Sequence, residues 1–181
     1  MDYHAYRIDA DDGSRVVNPK FDADCKRLLD LKSVAERGHP YAVAHFSKMA
    51  KEFLASKGIP PPDLQVHIVV VPSSTAGKWS PGLLKIGEYL IKHNSNFVDS
   101  MQSLVRVKTI QKLARGGDRS VWTHSQSIAL APKADKILAR KTILLLDDIT
   151  TTGNSMSACA EILTVQATPA RVMPLAIGKT V

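Results

Sequence analysis

The sequence predicts an α/β protein with a mostly parallel sheet and helices on both faces. Three observations point there. Two short runs, Gln65–Val71 and Ile143–Leu146, are rich in branched apolar residues and suit strands buried on both faces. Segments with helical spacing of apolar residues lie between and after them. Each run is followed by a loop of Ser, Thr and Gly. Strands alternating with helices imply an open sheet whose ligands bind at the carboxyl ends of the strands. Both loops are therefore expected on the same edge.

In chain order, Tyr3–Ile8 reads as a short edge strand, and Phe21–Arg37 and Pro40–Lys57 as helices. In the second helix Ala44, Phe46, Ala50, Phe53 and Leu54 recur at roughly helical spacing, and Gly58 stops it before Pro60. Pro81–His93 is a helix with Ser80 as its N-cap and Pro81 at its first position. Residues 94–132 are mixed. Gly153–Val165 is a helix with Met156, Ala160 and Leu163 toward the core. Arg171–Ile177 is a final strand, which Pro174 assigns to an edge or an irregular position.

The 181 residues make one domain, with a helical part over 1–60 that forms a hood over an acceptor and a core over 65–181. Apolar residues are 44% and charged residues 23%, the balance of a soluble globular chain. No run is long enough to span a membrane, and the start MDYHAYRIDA is neither a signal nor a transit peptide, so a cytoplasmic location is expected. Cys25 and Cys159 are expected to stay reduced. The net charge of +7 fits either a nucleic-acid surface or a site for an anionic small molecule.

The chemistry concentrates in residues 143–155, ILLLDDITTTGNS. The turn into the helix suits a phosphate monoester. A helix start offers unpaired N–H groups, and its dipole favours an anion. Gly153 permits close approach, and Thr151, Thr152 and Ser155 add hydroxyl donors. Asp147 and Asp148 would repel a phosphate, so they need a separate role. Ribose hydroxyls supply one, because carboxylates only accept hydrogen bonds. Mg²⁺ supplies another, with Asp147 and Asp148 as ligands directly or through water. The bland alternative, two acids capping a strand before a generic turn, does not explain the ordered combination.

This segment resembles the thirteen-residue signature of type I phosphoribosyltransferases. It departs at Thr150, where the family usually has an aliphatic residue. The resemblance is greatest to the ComF-like, competence-associated subgroup, through Arg106, Thr109, Gln111, Leu113 and Arg119 ahead of the signature. It implies a type I phosphoribosyltransferase-like fold. It also implies that Asp147 and Asp148 hold the ribose hydroxyls and that Thr150, Thr151, Thr152, Gly153, Asn154 and Ser155 surround the 5-phosphate. The implied activity is Mg²⁺-assisted phosphoribosyl transfer from phosphoribosyl diphosphate to a nitrogenous base, with release of pyrophosphate. In the 6-oxopurine enzymes an acid stands at the Thr151 position and usually a Lys at the Asn154 position, so a hypoxanthine- or guanine-type acceptor is disfavoured. The zinc module often found ahead of ComF-like domains is missing.

Two further segments support this reading. Ser73, Ser74, Thr75, Gly77 and Lys78 follow the first strand and suit a pyrophosphate cradle of backbone amides, with Lys78 as a point charge. A Walker loop is rejected because Pro72 stands where that pattern needs Gly. Arg106–Ser127 lies where the family keeps a mobile lid. Gly116 and Gly117 provide hinge freedom, and Lys108 and Arg119 are its candidate catalytic cations, with Lys112 and Arg115 beside them. This lid reading is preferred to a solvated basic face and to a nucleic-acid patch, since Trp122 is the only Phe, Tyr or Trp in the segment. His67 is expected to be packed, Cys159 to be core, and His124 is the one histidine worth testing as an acid or base, with a packed role preferred for it too. The competing function is a regulatory or DNA-processing protein that binds phosphoribosyl diphosphate or a nucleotide without turnover. A homodimer is compatible with the sequence, and nothing in it selects the acceptor.

Overall fold

The computed structural model describes residues 1–9, 14–111 and 120–180. In the first half the elements are β1 (Asp2–Tyr3), β2 (Arg7–Asp9), β3 (Arg15–Val17), α1 (Ala23–Leu31), α2 (His39–Ser56), β4 (Val66–Val70), α3 (Pro81–His93) and β5 (Phe97–Asp99). Then follow β6 (Leu104–Arg106), α4 (Val121–Ser125), β7 (Ile128–Leu130), α5 (Ala134–Leu138), β8 (Thr142–Thr150), α6 (Asn154–Ala167) and β9 (Arg171–Thr180). The central sheet has the order β1-β9-β8-β4-β5, and all its pairs are parallel. Two small antiparallel ladders, β2 with β3 and β6 with β7, stand outside it.

The α/β expectation is met, with helices on both faces. Alternation along the strands sorts the side chains. Val66, Ile68 and Val70 of β4 and Leu144 and Leu146 of β8 join a core with α1, α2 and α3. Val69 of β4 and Ile143 and Leu145 of β8 join a second core with Leu138 of α5 and with Cys159, Ile162, Leu163 and Ala167 of α6. Each fully buried Leu, Ile or Phe among these stabilises the fold by roughly 1.5–3 kcal/mol. In α2 the buried apolar positions are Ala42, Phe46, Ala50 and Leu54, whereas Phe53 is 46% exposed and lies under the Lys57 ammonium.

Several boundaries depart from the sequence pattern. β8 continues through Asp147 and Asp148 to Thr150, because β9 pairs with it as far as Thr150 and Lys179. Pairing with β4 stops at Leu146, so the two acids sit in a strand whose neighbour on one side has already left. Pro174 lies inside β9, opposite Leu145. It is tolerated because β1 pairs with β9 only at Lys179 and Thr180, leaving the outer side open at Pro174. The mixed stretch 94–132 includes β5 and the β6–β7 ladder, both too short to give a pattern.

The connections set the position of any ligand. From β4 the chain passes through α3 to β5, and from β8 through α6 to β9, in opposite directions along the sheet. Opposite directions with a fixed crossover hand place α3 and α6 on opposite faces. β4 and β8 thus flank a topological switch point, where open α/β sheets form their crevices.

Packing at the start of α3 is tight. A Cβ on Gly82 would lie 2.3 Å from the carbonyl oxygen of Leu31, the last residue of α1. Gly82→Ala should therefore destabilise the protein by about 1–3 kcal/mol, although Ala is the better helix former. Urea unfolding of the two proteins would check it.

Candidate functional site

A cleft of about 650 Å³ opens at the carboxyl ends of β4 and β8. Of the residues singled out from sequence, Ser73, Ser74, Thr75, Lys78, Asp147, Asp148, Thr151 and Ser155 line it. Thr150, Thr152, Gly153 and Asn154 belong to the same turn without lining the cleft, and neither does the exposed Lys108. Arg119, together with Lys112, Leu113, Arg115, Gly116 and Gly117, lies outside the described residues.

Within β8 the two acids point to opposite faces. Asp147 continues the Ile143–Leu145 side, and its Oδ2 accepts from the Ser155 hydroxyl of α6 at 3.3 Å. Asp148 continues the Leu144–Leu146 side and faces the Lys32 ammonium, just past α1, at 3.6 Å. Each carboxylate also accepts the amide that follows it, Asp148 N–H to Asp147 Oδ1 at 2.9 Å and Ile149 N–H to Asp148 Oδ1 at 2.7 Å. One oxygen of each is left for weaker partners, and both acids reach the cleft from the sheet edge.

Asp147 is 7% exposed. Burial, and then the neighbouring Asp148 charge, push its carboxyl up to about 7, against the opposing pull of the Asp148 amide, Ser155 and Lys32. The same surroundings affect Cys159 in α6. Burial and Asp147 push its thiol up to about 12, so it is an inert core residue, as expected.

The turn 151–153 leads into α6 through Gly153 at φ +78°, a left-handed conformation suited to Gly. Gly153 is the N-cap residue and has no side chain with which to cap the helix, and a helical bond runs from Ser157 N–H to Gly153 O. Thr151, just before α6, and Ser155, in its first turn, line the cleft, so the positive end of the helix dipole lies beside it. The Thr150 hydroxyl is buried in this turn without a hydrogen-bond partner.

The loop after β4 departs from the expected amide cradle. Ser73 N–H donates to Lys78 O, Lys78 N–H to Thr75 O, Gly77 N–H to Arg106 O, and Ala76 N–H to Thr109 Oγ1. Thr75 N–H donates to Ser73 Oγ. A loop this short closes on itself and on 104–110, so its amides turn inward. What it presents to the cleft are the side chains of Ser73, Ser74, Thr75 and Lys78.

Tyr3, Lys32, Trp79 and Arg106 also line the cleft and were not among the sequence candidates. Tyr3 and Lys32 arrive through tertiary packing of β1 and α1, for which the sequence carries no local signal. Arg106 belongs to the predicted lid segment but is 1% exposed, at the end of β6. His124 is buried beside it and accepts at Nδ1 from its guanidinium at 3.3 Å, since Arg can only donate. This fits the packed reading of His124. His67 is packed too, 2.9 Å from the Ser100 hydroxyl, and burial followed by the Lys141 charge lowers its pKa. Among the described residues no group of three or more His, Cys, Asp or Glu is placed to hold a metal, and no helix is long and apolar enough to cross a membrane.

No protein-family model and no curated protein matches the chain. Among solved structures it is similar to a hypoxanthine phosphoribosyltransferase from Trypanosoma cruzi, at 10% identity and TM-score 0.42, over 86% of this chain and 78% of that one. It is also similar to a hypoxanthine-guanine phosphoribosyltransferase from L. donovani, at 12% identity and TM-score 0.40, over 75% of this chain and 65% of that one.

The raised carboxyl sets a pH dependence. In the unfolded chain Asp147 ionises near 3.8, and in the folded chain at about 7. Between those values the folded protein keeps a proton that the unfolded chain has released, so stability falls as pH rises through this window. Asp147→Asn should flatten that fall, and urea unfolding at pH 5 and pH 8 would read it. A wild-type protein equally stable at both would refute the burial argument.

Proposed function

We propose that the cleft binds phosphoribosyl diphosphate and that the chain transfers its phosphoribosyl group to a nitrogenous base, releasing pyrophosphate. The observation that carries this is the meeting of two loops and the start of α6 in one crevice at the switch point. The start of α6, with Thr151 and Ser155, takes the 5-phosphate. Asp147 and Asp148 accept ribose hydroxyls. Ser73, Ser74, Thr75 and Lys78 meet the pyrophosphate, and Lys108 and Arg119 are the candidate cations that stabilise its charge as it departs. The chain acts mainly by holding the reacting atoms in line and by excluding water.

The donor set suits Mg²⁺. Asp147 and Asp148 are adjacent carboxylates at the cleft, and a cation relieves the cost of ionising Asp147 there. The ion would supply charge neutralisation to the pyrophosphate. Thr151 and Asn154 still weigh against a 6-oxopurine acceptor. The cell compartment is expected to be the cytoplasm, and the resemblance to ComF-like chains leaves a role in DNA processing within the same chemistry.

Calorimetric titration with phosphoribosyl diphosphate and Mg²⁺ tests the reading. The intact protein should bind, and Asp147→Asn/Asp148→Asn should bind at least about tenfold more weakly, from lost hydrogen bonds to charged acceptors. Absence of binding by the intact protein would sink the proposal. Pyrophosphate release across a panel of nucleobases separates transfer from binding alone.

A further inference from the structure

The loop after β4 and the strap 104–110 are joined at several points. Gly77 N–H donates to Arg106 O at 2.9 Å, Ile110 N–H to Ser74 O at 2.9 Å, Ala76 N–H to Thr109 Oγ1 at 3.0 Å, and Trp79 Nε1–H to Leu104 O at 3.0 Å. The Arg106 side chain adds two more. Its Nε donates to Ser73 O at 2.8 Å and its Nη2 to Pro72 O at 3.5 Å. On its other side the same guanidinium donates to Ser127 Oγ and to His124 Nδ1. Ser127 Oγ is itself anchored, donating toward the Thr123 and His124 carbonyls at the end of α4.

A planar fork of fixed donors spanning two carbonyls and a hydroxyl sets their separation in a way that a flexible point charge does not. It does so with the guanidinium almost fully removed from water, where hydrogen bonds are stronger and their loss costs more. We infer that Arg106 is a positioning residue: it holds the loop after β4 in the shape that binds pyrophosphate, and ties that loop to α4. Lys108 stands on the same strap, so the clamp also sets where this cation can reach. The inference rests on the reading of the loop as a pyrophosphate site.

Two ligands report the two ends of the cleft separately. Calorimetry with Mg²⁺-pyrophosphate and with ribose 5-phosphate should show Arg106→Met weakening pyrophosphate about tenfold or more, while ribose 5-phosphate changes by less than about twofold. Amide exchange across 73–78 should speed up in the same variant, with or without ligand. Arg106→Lys keeps the charge and loses the fork, so it should weaken pyrophosphate nearly as much. Recovery of wild-type affinity by Arg106→Lys would overturn the inference, since charge alone would then suffice. Equal weakening of both ligands, or unchanged exchange, would also overturn it. If Arg106→Met does not fold, Arg106→Lys and Ser127→Ala carry the same comparison. If the wild type binds no pyrophosphate, the assignment of the loop fails, and the exchange measurement still judges the clamp.

Discussion

The parallel ladder between β4 and β8 is the constraint on which everything else depends. Five registered pairs, from Val66 with Thr142 to Val70 with Leu146, fix the two strands side by side. Their side chains feed both cores, so a slip by one residue would turn every apolar group to the wrong face. Because their pairing stops at Val70 and Leu146 and the chains leave β4 and β8 in opposite directions, a crevice opens at the carboxyl end of the ladder. The loop after β4, the acids of β8 and the start of α6 have no other place to meet.

The cleft works against the stability of the protein around it. A sheet interior favours apolar groups, yet β8 carries Asp147 into a buried position beside a second acid. The strand tolerates this because pairing with β4 has already ended and because amides, Ser155 and Lys32 meet the carboxylates. A carboxyl whose pKa is raised by burial gains most from a positive charge brought near it. The strain of burying this carboxyl is therefore concentrated where the cleft opens.

The central strands and the helix 81–93 were legible because their signals are local: short branched runs, and Ser80-Pro81 at a helix start. The eight cleft-lining residues that sequence reasoning found share that origin, since each lies in a segment that follows one of the two short apolar runs. What was illegible depends on distant partners. Nothing near Lys32 says that it faces Asp148, and nothing near Tyr3 says that β1 lies beside the end of β9. The inward turn of the Ala76 and Gly77 amides depends on distant acceptors at Thr109 and Arg106, and that of Ser73, Thr75 and Lys78 on acceptors within the loop. Arg106 read as one more cation in a basic stretch, because burial of a charged residue leaves no trace in composition.

Alternation in β8 means that the two acids answer to different halves of the molecule. Asp147 belongs to the compartment of α6, and Asp148 to that of α1 and Lys32. Adjacent in sequence, they are packed by different layers, yet Asp147 still feels the charges of Asp148 and Lys32. A change in either layer therefore alters the contacts of one carboxylate directly and reaches the other through charge. A pair that looks like a single unit in the primary structure thus has two packing environments and one shared electrostatic field.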